Sequence, residues 1–447
     1  ANGTSPVEAD LILYNGHVLT VDRDFSVAEA VAVSGDKILA VGDNGQVRDL
    51  EGENTRLVDL RGATVLPGIN DSHIHLAWWG ESLTQVELRG KNLEEIRAAV
   101  AERVASSRPG EVIRGVGWSE GDIGRLPTRA DLDDITPNNP VAFEEMGHAL
   151  WVNSKMLELA GIESDAADPP GAKFERDESS GRLTGLLHEA DHLVFPHIPE
   201  VPGEIRKRNI VNAINQLNRE GVTSVTEPGA ELPLLALYEE LAEEDALSAR
   251  VSVHLKAGRS LQAAKEALAA YSGDVRQRGL EKPLLNVRGI KLYMDGAPPG
   301  KTALMFEDYA CCPGEKGILL YDGETQQQQV EEINRSMDWL HRQGYQMAVH
   351  TDGDHSANIA IEGLIRAMGN TPAAAKENPL RHYLIHGDLV TDDDITRMAQ
   401  WHIGLTTQPV ITNSAGHVVS KLWGPERGNR HMAPGLFVSA GVWTSIS

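Results

Sequence analysis

The stretch Ala63-Thr64-Val65-Leu66-Pro67-Gly68-Ile69-Asn70-Asp71-Ser72-His73-Ile74-His75 decides the fold that we expect for this chain. Its first half is apolar and rich in β-branched residues, which predicts a strand. Side chains on a strand alternate between two faces, so we expect His73 and His75 to project from one face, close enough to hold a metal ion. On its own, this pair is equally typical of hydrogen-bonded core histidines.

Three later polar residues favour the metal site. Each of them closes or interrupts a short apolar run: Lys291 lies within Gly289–Gly296, His350 follows Met347-Ala348-Val349, and His386 follows Tyr383-Leu384-Ile385. In a parallel barrel the C-terminal ends of the strands meet at one rim, so residues distant in sequence become neighbours there. The sequence therefore predicts that these side chains share one site with the histidine pair.

From residue 221 onward, strand-like and helical segments alternate regularly. The strand candidates are Val222–Thr226, Arg250–Leu255, Val287–Met294, Met347–His350, Tyr383–His386, Ile403–Gln408 and Val442–Ile446. With the strand that carries His73 and His75 they total eight. That number predicts an α/β fold, a (β/α)8 TIM barrel.

Two regions fall outside this alternation. Residues 1–63 contain short strands and tight turns, which predict the N-terminal part of a composite β-sandwich, while residues 64–447 form the barrel. Between His75 and residue 221 the chain is far longer than one crossover helix requires. We therefore expect an inserted α+β subdomain at about 77–200, with helices around Leu93–Ala105 and Ser154–Ala160.

Composition excludes several classes of partner. The 447 residues are 41% hydrophobic, enough for a large core, and the formal charge of -24 argues against binding nucleic acid. No apolar run approaches the roughly 20 residues of a bilayer-spanning helix, so we expect no membrane partner. Cys311 and Cys312 are adjacent and are expected to be free thiols. The polar start at Ala1 without a Met suggests a processed N-terminus, so the compartment stays open, as does a homodimer.

Taken together, these blocks resemble the amidohydrolase superfamily, specifically its branch of YtcJ-like metal-dependent hydrolases that includes N-substituted formamide deformylase. The matching blocks occur in the family's order: Val65–His75, Gly147–Lys155, Lys291 with Asp295-Gly296, His350 with Gly353-Asp354, and Arg381-His382 with His386. The resemblance runs through almost the whole chain.

The resemblance implies a metal-dependent hydrolase. In it His73, His75, His350 and His386 would bind metal, and Lys291, carboxylated on its amine, would bridge two zinc ions; a single ion or another divalent metal stays open. An ammonium group would be repelled by divalent cations, whereas a carbamate offers them two anionic oxygens. Lys291 and His386 would serve catalysis. The reaction would be hydrolysis of an amide-like C–N bond (N-formyl, N-acyl or cyclic amide) in a small molecule by a metal-activated hydroxide.

Other polar residues are weaker candidates for substrate contact. They are His148, Glu189, Asp295, Lys301 and Asp354. A packed histidine of the insert is about as expected for His148, a salt bridge or helix start for Glu189, and a helix cap for Asp354. Members of the family more often have Ala-Ile where this chain has Thr351-Asp352, so Asp352 adds a carboxylate that alters the local charge.

One departure from the family concerns the eighth strand. The family has an aspartate at the end of this strand that touches metal and acts as general base, whereas Gly441–Ser447 stops before any such residue. We expect the working protein to continue beyond Ser447 and its intact mass to exceed 48.5 kDa. The alternative is a non-catalytic or regulatory relative that keeps the fold and the metal.

Overall fold

The structure is a computed structural model that describes residues 8–145, 149–169, 172–188, 190–271, 284–369 and 378–447, without the side chains of 413–415. The chain divides into two compact units, Ala1–Ile69 and Asn70–Ser447. The second unit contains every residue that the sequence predicts for the site.

The N-terminal unit contains two small sheets. Its strands are β1 (Ala9–Tyr14), β2 (His17–Leu19), β3 (Val27–Ala28), β4 (Ala30–Ser34), β5 (Lys37–Gly42), β6 (Glu51–Asp59) and β7 (Thr64–Val65). They pair in the orders β5-β4-β1-β6 and β3-β2-β7, the sandwich-like arrangement that the sequence predicts. Ile12, Ala32 and Val47 fill its core. Strand β7 pairs with β2 and therefore belongs to this unit.

The first barrel strand is shorter than predicted. Strand β8 covers only Ile69–Asp71, and His73 and His75 follow it in a turn rather than on the strand itself. Asp71 Oδ1 accepts a hydrogen bond from the backbone N–H of His73 at 3.1 Å. Such an Asx turn bends the chain away from the extended conformation, so the expectation that strand alternation aligns the two histidines is wrong.

Residues 86–188 form a separate six-stranded sheet. Its strands are β9 (Val86–Glu87), β10 (Ile113–Val116), β11 (Val141–Glu145), β12 (Ala149–Val152), β13 (Lys173–Arg176) and β14 (Leu183–His188), in the order β13-β14-β12-β11-β10-β9. Both faces are buried: Phe143 and Trp151 pack into one core, and Leu150 and Leu187 into another. None of these described strands joins the barrel sheet, which confirms an inserted α+β subdomain; its exact limits stay a prediction.

Seven more strands complete the barrel sheet. They are β15 (Val222–Ala230), β16 (Arg250–Lys256), β17 (Leu285–Tyr293), β18 (Gln346–Thr351), β19 (Tyr383–His386), β20 (Gly404–Thr407) and β21 (Thr444–Ile446). The sheet order is β21-β20-β19-β18-β17-β16-β15-β8, and consecutive strands from β15 to β21 pair in parallel. Ser447 Oγ lies 2.6 Å from both Asp71 Oδ1 and the carbonyl oxygen of His73, so contacts link the two end strands.

Helices cover the outside of this sheet. The α-helices of the second unit are Leu76–Ser82, Leu93–Ala105, Glu120–Ile123, Ala130–Asp133, Ser154–Leu159, Asp191–Val194, Gly203–Arg219, Leu232–Glu243, Leu261–Ala269, Gln326–Arg342, Asp354–Ala367, Asp392–Gln400, Val410–Trp423, Pro425–Gly428 and Pro434–Ser439. The N-terminal unit has one further helix among its described residues, Asn44–Arg48. The alternation of strand and helix confirms the predicted (β/α)8 barrel. Within the described ranges, no helix has both the length and the apolar character that crossing a bilayer requires.

Candidate metal centre

Five predicted side chains converge at the C-terminal ends of the barrel strands. The ring of His73 lies 5.3 Å from that of His75 and 5.0 Å from that of His386, centroid to centroid, and the rings of His350 and His386 are 4.8 Å apart. Lys291 lies deeper, two residues before the end of β17. Their role as metal ligands stays a prediction, but the structure brings the set together.

The turn after β8 is held by the neighbouring strand β15. The backbone N–H of Ile74 donates to the carbonyl of Thr226 at 3.0 Å, and Glu227 Oε2 accepts from the N–H of Ala77 at 3.1 Å and from the hydroxyl of Tyr238 at 2.7 Å. The other carboxylate oxygen of Glu227 lies 3.6 Å from His75 Nδ1. Buried Glu227 therefore fixes the start of the helix that His75 precedes.

Lys291 is almost completely buried, with 1% of its surface exposed. Its Nζ lies 4.9 Å from the centroid of the Tyr293 ring. Burial lowers the pKa of its amine to about 7, although the nearby carboxylate of Asp352 opposes this shift. A substantial fraction of the amine is therefore uncharged at neutral pH, which an exposed lysine never achieves.

The register of the sheet sets the height of the two later histidines. Tyr293 is paired with His350, and Thr351 with His386. His386 has a φ of +68°, a left-handed conformation that is rare outside glycine and that clusters at functional sites. Its Nδ1 lies 2.6 Å from Gln408 Oε1. Because an amide oxygen only accepts, Nδ1 carries the proton and Nε2 keeps its lone pair.

His73 and His386 both favour the neutral form near pH 7. Burial lowers the pKa of His73 well below its ordinary value, and Lys291 and the other histidines lower it further. The pKa of His386 falls for the same reasons, burial first. Neutral imidazoles are the form that binds metal, so no proton has to be removed from either ring before a cation binds.

Three buried aspartates surround the histidines, in three different environments. Asp295 accepts hydrogen bonds from the backbone N–H groups of Leu304, Asp352 and Gly353 and from the hydroxyl of Ser356. Asp388 Oδ2 lies 3.1 Å from His431 Nε2. Asp352 belongs with His350 and His386 to a group whose ligand atoms lie within 4.8 Å of one another.

The donor set fits a divalent cation. His73 Nδ1 and Asp352 Oδ1 are buried and have no hydrogen-bond partner among the described residues. Buried polar atoms are normally paired, and an unpaired one calls for an explanation such as an unplaced ion. Imidazole nitrogens and carboxylate oxygens are ligands for zinc and for related divalent metals.

The residues predicted to contact substrate lie elsewhere or have other contacts. His148 and Glu189 are outside the described residues. Asp295 is fully buried and bound to the backbone, so the structure gives it a role in holding the loop after β17. Asp354 Oδ1 accepts from the N–H of Phe306 at 2.9 Å, and Lys301 Nζ lies 3.4 Å from a carboxylate oxygen of Glu315.

Gln408 was missed by sequence reasoning, and the structure adds Glu227 as a neighbour of His75. Gln408 on β20 reaches His386 on β19, and Glu227 on β15 reaches His75 in the turn after β8. Each one sits near the C-terminal end of a strand candidate, which is the signal that could have found Gln408. What the sequence does not give is the register that pairs it with His386.

Comparison with known proteins supplies independent information. The amidohydrolase family model matches residues 56–446. The chain is 30% identical to "Protein LONG AFTER FAR-RED 3" of Arabidopsis thaliana, covering 94% of this chain and 71% of that protein. It is 28% identical to "Putative amidohydrolase YtcJ" of Bacillus subtilis, covering 96% of this chain and 79% of the relative.

A solved structure of similar shape also comes from a hydrolase family. The crystal structure of an uncharacterized metal-dependent hydrolase from Pyrococcus furiosus superposes with a TM-score of 0.71 at 26% identity. The alignment covers 98% of this chain and 84% of that one. The similarity therefore extends over the barrel and the inserted sheet as well as the rim.

Proposed function

The chain belongs to the amidohydrolase family, and from that premise we propose that it is a zinc-dependent hydrolase that cleaves an amide-like C–N bond in a small molecule. In this proposal His73, His75, His350 and His386 hold the metal, and a carboxylated Lys291 bridges two ions. The observation that carries it is the convergence of the four imidazoles and one buried lysine at a single rim, with successive ring centroids 4.8–5.3 Å apart.

The environment of Lys291 supports its carboxylation. An amine adds to carbon dioxide only in its neutral form: nitrogen bonds to carbon, one C=O pair moves to oxygen, and the lost N–H proton passes to solvent. The pKa of about 7 makes that form accessible at neutral pH. The product is a buried anion, which is stable only beside cations. Carboxylation and metal binding therefore reinforce each other.

A divalent cation held by these residues would supply an activated water and would polarise the carbonyl under attack. The chain's own part is to orient the ligands. Gln408 fixes the tautomer and ring angle of His386, and Glu227 stands beside His75 Nδ1. Partners of this kind raise the basicity of a ligating histidine and commonly account for 10–100-fold in affinity or activity, as an order of magnitude.

A cavity lined in part by Gly229 is a candidate for the substrate. It measures about 630 Å³ and is lined by Gly229 and Leu234 from the barrel and by Arg114, Phe195 and Ile198 from the segment before the second strand of the barrel. Gly229 borders the metal site, since a Cβ there would lie 3.6 Å from Lys291 Cγ. The volume suits a small molecule, and the lining combines apolar side chains with charged ones, among them Glu81, Arg114 and Arg206.

The test is a substrate screen on the intact protein after reconstitution with zinc and bicarbonate. N-formyl, N-acyl and cyclic amides are compared, and product formation is followed by chromatography. We expect turnover that disappears on chelation, returns with zinc and is absent from Lys291→Ala. Zinc binding without turnover of any amide would contradict the proposal and favour a regulatory relative.

A further inference from the structure

Asp352 has the surroundings of a metal ligand rather than those of a structural carboxylate. The side chain is 5% exposed, and its Oδ1 has no hydrogen-bond partner among the described residues. The protein therefore keeps a buried carboxyl oxygen at this position without giving it an internal hydrogen bond.

Asp295 shows what a structural aspartate looks like at the same depth. Its two oxygens accept four hydrogen bonds, three of them from backbone N–H groups. Asp352 contributes one of those N–H groups, yet its own Oδ1 accepts none. The two carboxylates lie on adjacent loops, so the difference does not come from depth in the barrel.

The spacing around Asp352 matches a shared cation. Its Oδ1 lies 3.7 Å from His350 Nε2, which is too long for a hydrogen bond. Two ligands that each stand about 2.0–2.2 Å from one zinc ion are roughly 3–4 Å apart. Ligand atoms of Asp352, His350 and His386 all fall within 4.8 Å of one another, so small side-chain rotations would bring the three onto one ion.

We propose that Asp352 supplies a further, anionic oxygen to the cation held by His350 and His386. This inference rests on the proposed function, because it assumes that the rim binds a metal. It adds a negative charge directly at that ion, in a position where the resemblance to the family leads us to expect an apolar side chain. The carboxylate then strengthens the binding of a divalent ion. It also reduces the net positive charge of the metal site that the substrate meets.

The inference predicts different effects of one substitution with and without metal. Asp352→Asn replaces a buried carboxyl group whose Oδ1 forms no hydrogen bond, so the metal-free protein should melt no lower than the wild type. The same change removes the anionic ligand, so the affinity for Zn²⁺ should fall at least about tenfold, as much as the loss of an orienting partner costs. A structural role would instead lower the melting temperature in both states.

The experiment titrates metal-stripped protein with Zn²⁺ alone by calorimetry and measures bound zinc by elemental analysis. Asp394→Asn is the matched control, since Asp394 is 2% exposed but accepts hydrogen bonds from Asn358, Thr391 and Arg397. We expect that control to lower the melting temperature without changing the zinc titration. Should Asp352→Asn not fold, Asp352→Ala and Asp352→Glu take its place, and Glu should retain more affinity than Ala.

Two results separate this inference from the proposed function. If the wild type binds zinc, and Asp352→Asn binds it equally tightly and in equal amount, then the role of Asp352 is overturned but the proposed function is not. Wild type that binds no zinc would overturn the proposed function and the inference with it.

Discussion

His382 directly precedes strand β19 and His386 is its last residue, and the two side chains form different hydrogen bonds. His382 precedes the strand, on the N-terminal side, and both of its ring nitrogens have partners: the N–H of Met347 at 3.0 Å and His341 Nδ1 at 2.9 Å. His386 ends the strand, on the rim. Its described hydrogen bond uses Nδ1 only, and its ring faces those of His73 and His350.

The difference distinguishes a histidine that stabilises the fold through its hydrogen bonds from one whose second ring nitrogen is available to a ligand. His382 is buried and His386 is half-buried. Burial lowers the pKa of both rings, so charge does not distinguish them. What distinguishes them is whether the protein itself satisfies their hydrogen bonds. For His382 it does, whereas the rim contains buried atoms without a partner among the described residues, such as His73 Nδ1 and Asp352 Oδ1.

The largest expected effect tests the rim. Lys291→Ala should lower kcat/KM at least about 10³-fold, because the bridging anion is lost from a two-metal site. Zinc content should fall by half or more, and short carboxylic acids should restore part of both. Lys256→Ala is the matched control: Lys256 is the register neighbour of Lys291 on β16, but its Nζ pairs with Glu231 at 2.8 Å. An unchanged zinc content in Lys291→Ala would show that Lys291 does not hold the metal and would contradict the role assigned to the rim.

The second prediction tests the opposite end. His382→Ala should destabilise the protein by about 3 kcal/mol, because it opens a cavity and leaves the Met347 N–H without its acceptor. Zinc per folded chain should stay at the wild-type value. Denaturant titration measures the stability, and elemental analysis measures the zinc content. A His382→Ala variant that lost zinc but kept its stability would contradict the structural role assigned to His382.

The third prediction sharpens the account of the rim. Gln408→Leu should reduce zinc affinity by about 10–100-fold, since the ring of His386 loses the acceptor that fixes its tautomer. Gln408→Glu, which keeps an acceptor, should retain more affinity than Leu. Calorimetric titration of metal-stripped protein measures both variants, and equal affinities would show that the contact does not orient the ring.

The smallest effect is a pH dependence at the N-terminal end. Burial lowers the pKa of His382 from 6.5 to about 3. Between these values the unfolded chain binds the proton and the folded chain does not, so stability is fully present above pH 6.5 and is lost as the pH falls toward 3. From pH 6.5 to about 5, the loss should be on the order of 1–2 kcal/mol. In metal-free His382→Gln, the free energy of unfolding should depend less steeply on pH than in the wild type. An identical dependence would show that another group is responsible for the loss of stability.

Much of this architecture follows from the sequence alone. The eight barrel strands were predicted from apolar runs separated by helical segments, and each run contains or overlaps an observed strand. Periodicity succeeds there because burial of a strand leaves a local pattern. The two histidines after β8 do not lie on the strand as predicted, because the hydrogen bond that the His73 N–H donates to Asp71 Oδ1 overrides strand propensity.

The contacts between strands could not be predicted. Asp295 was expected to face substrate, but its partners Leu304, Gly353 and Ser356 are brought to it by loop geometry that no local pattern encodes. The pairing of His386 with Gln408 depends likewise on the register of β19 and β20. The sequence identifies which residues lie at the rim. Strand register and loop geometry determine which of their polar atoms form hydrogen bonds within the protein.

The central claim is that the rim, and not the rest of the barrel, is built around metal. The most direct measurement is the number of zinc ions per chain in intact protein reconstituted with zinc and bicarbonate, with the anomalous signal of zinc locating them in a crystal. The account predicts two ions among His73, His75, Lys291, His350 and His386. A protein without zinc at these residues, with an unmodified Lys291, would contradict it.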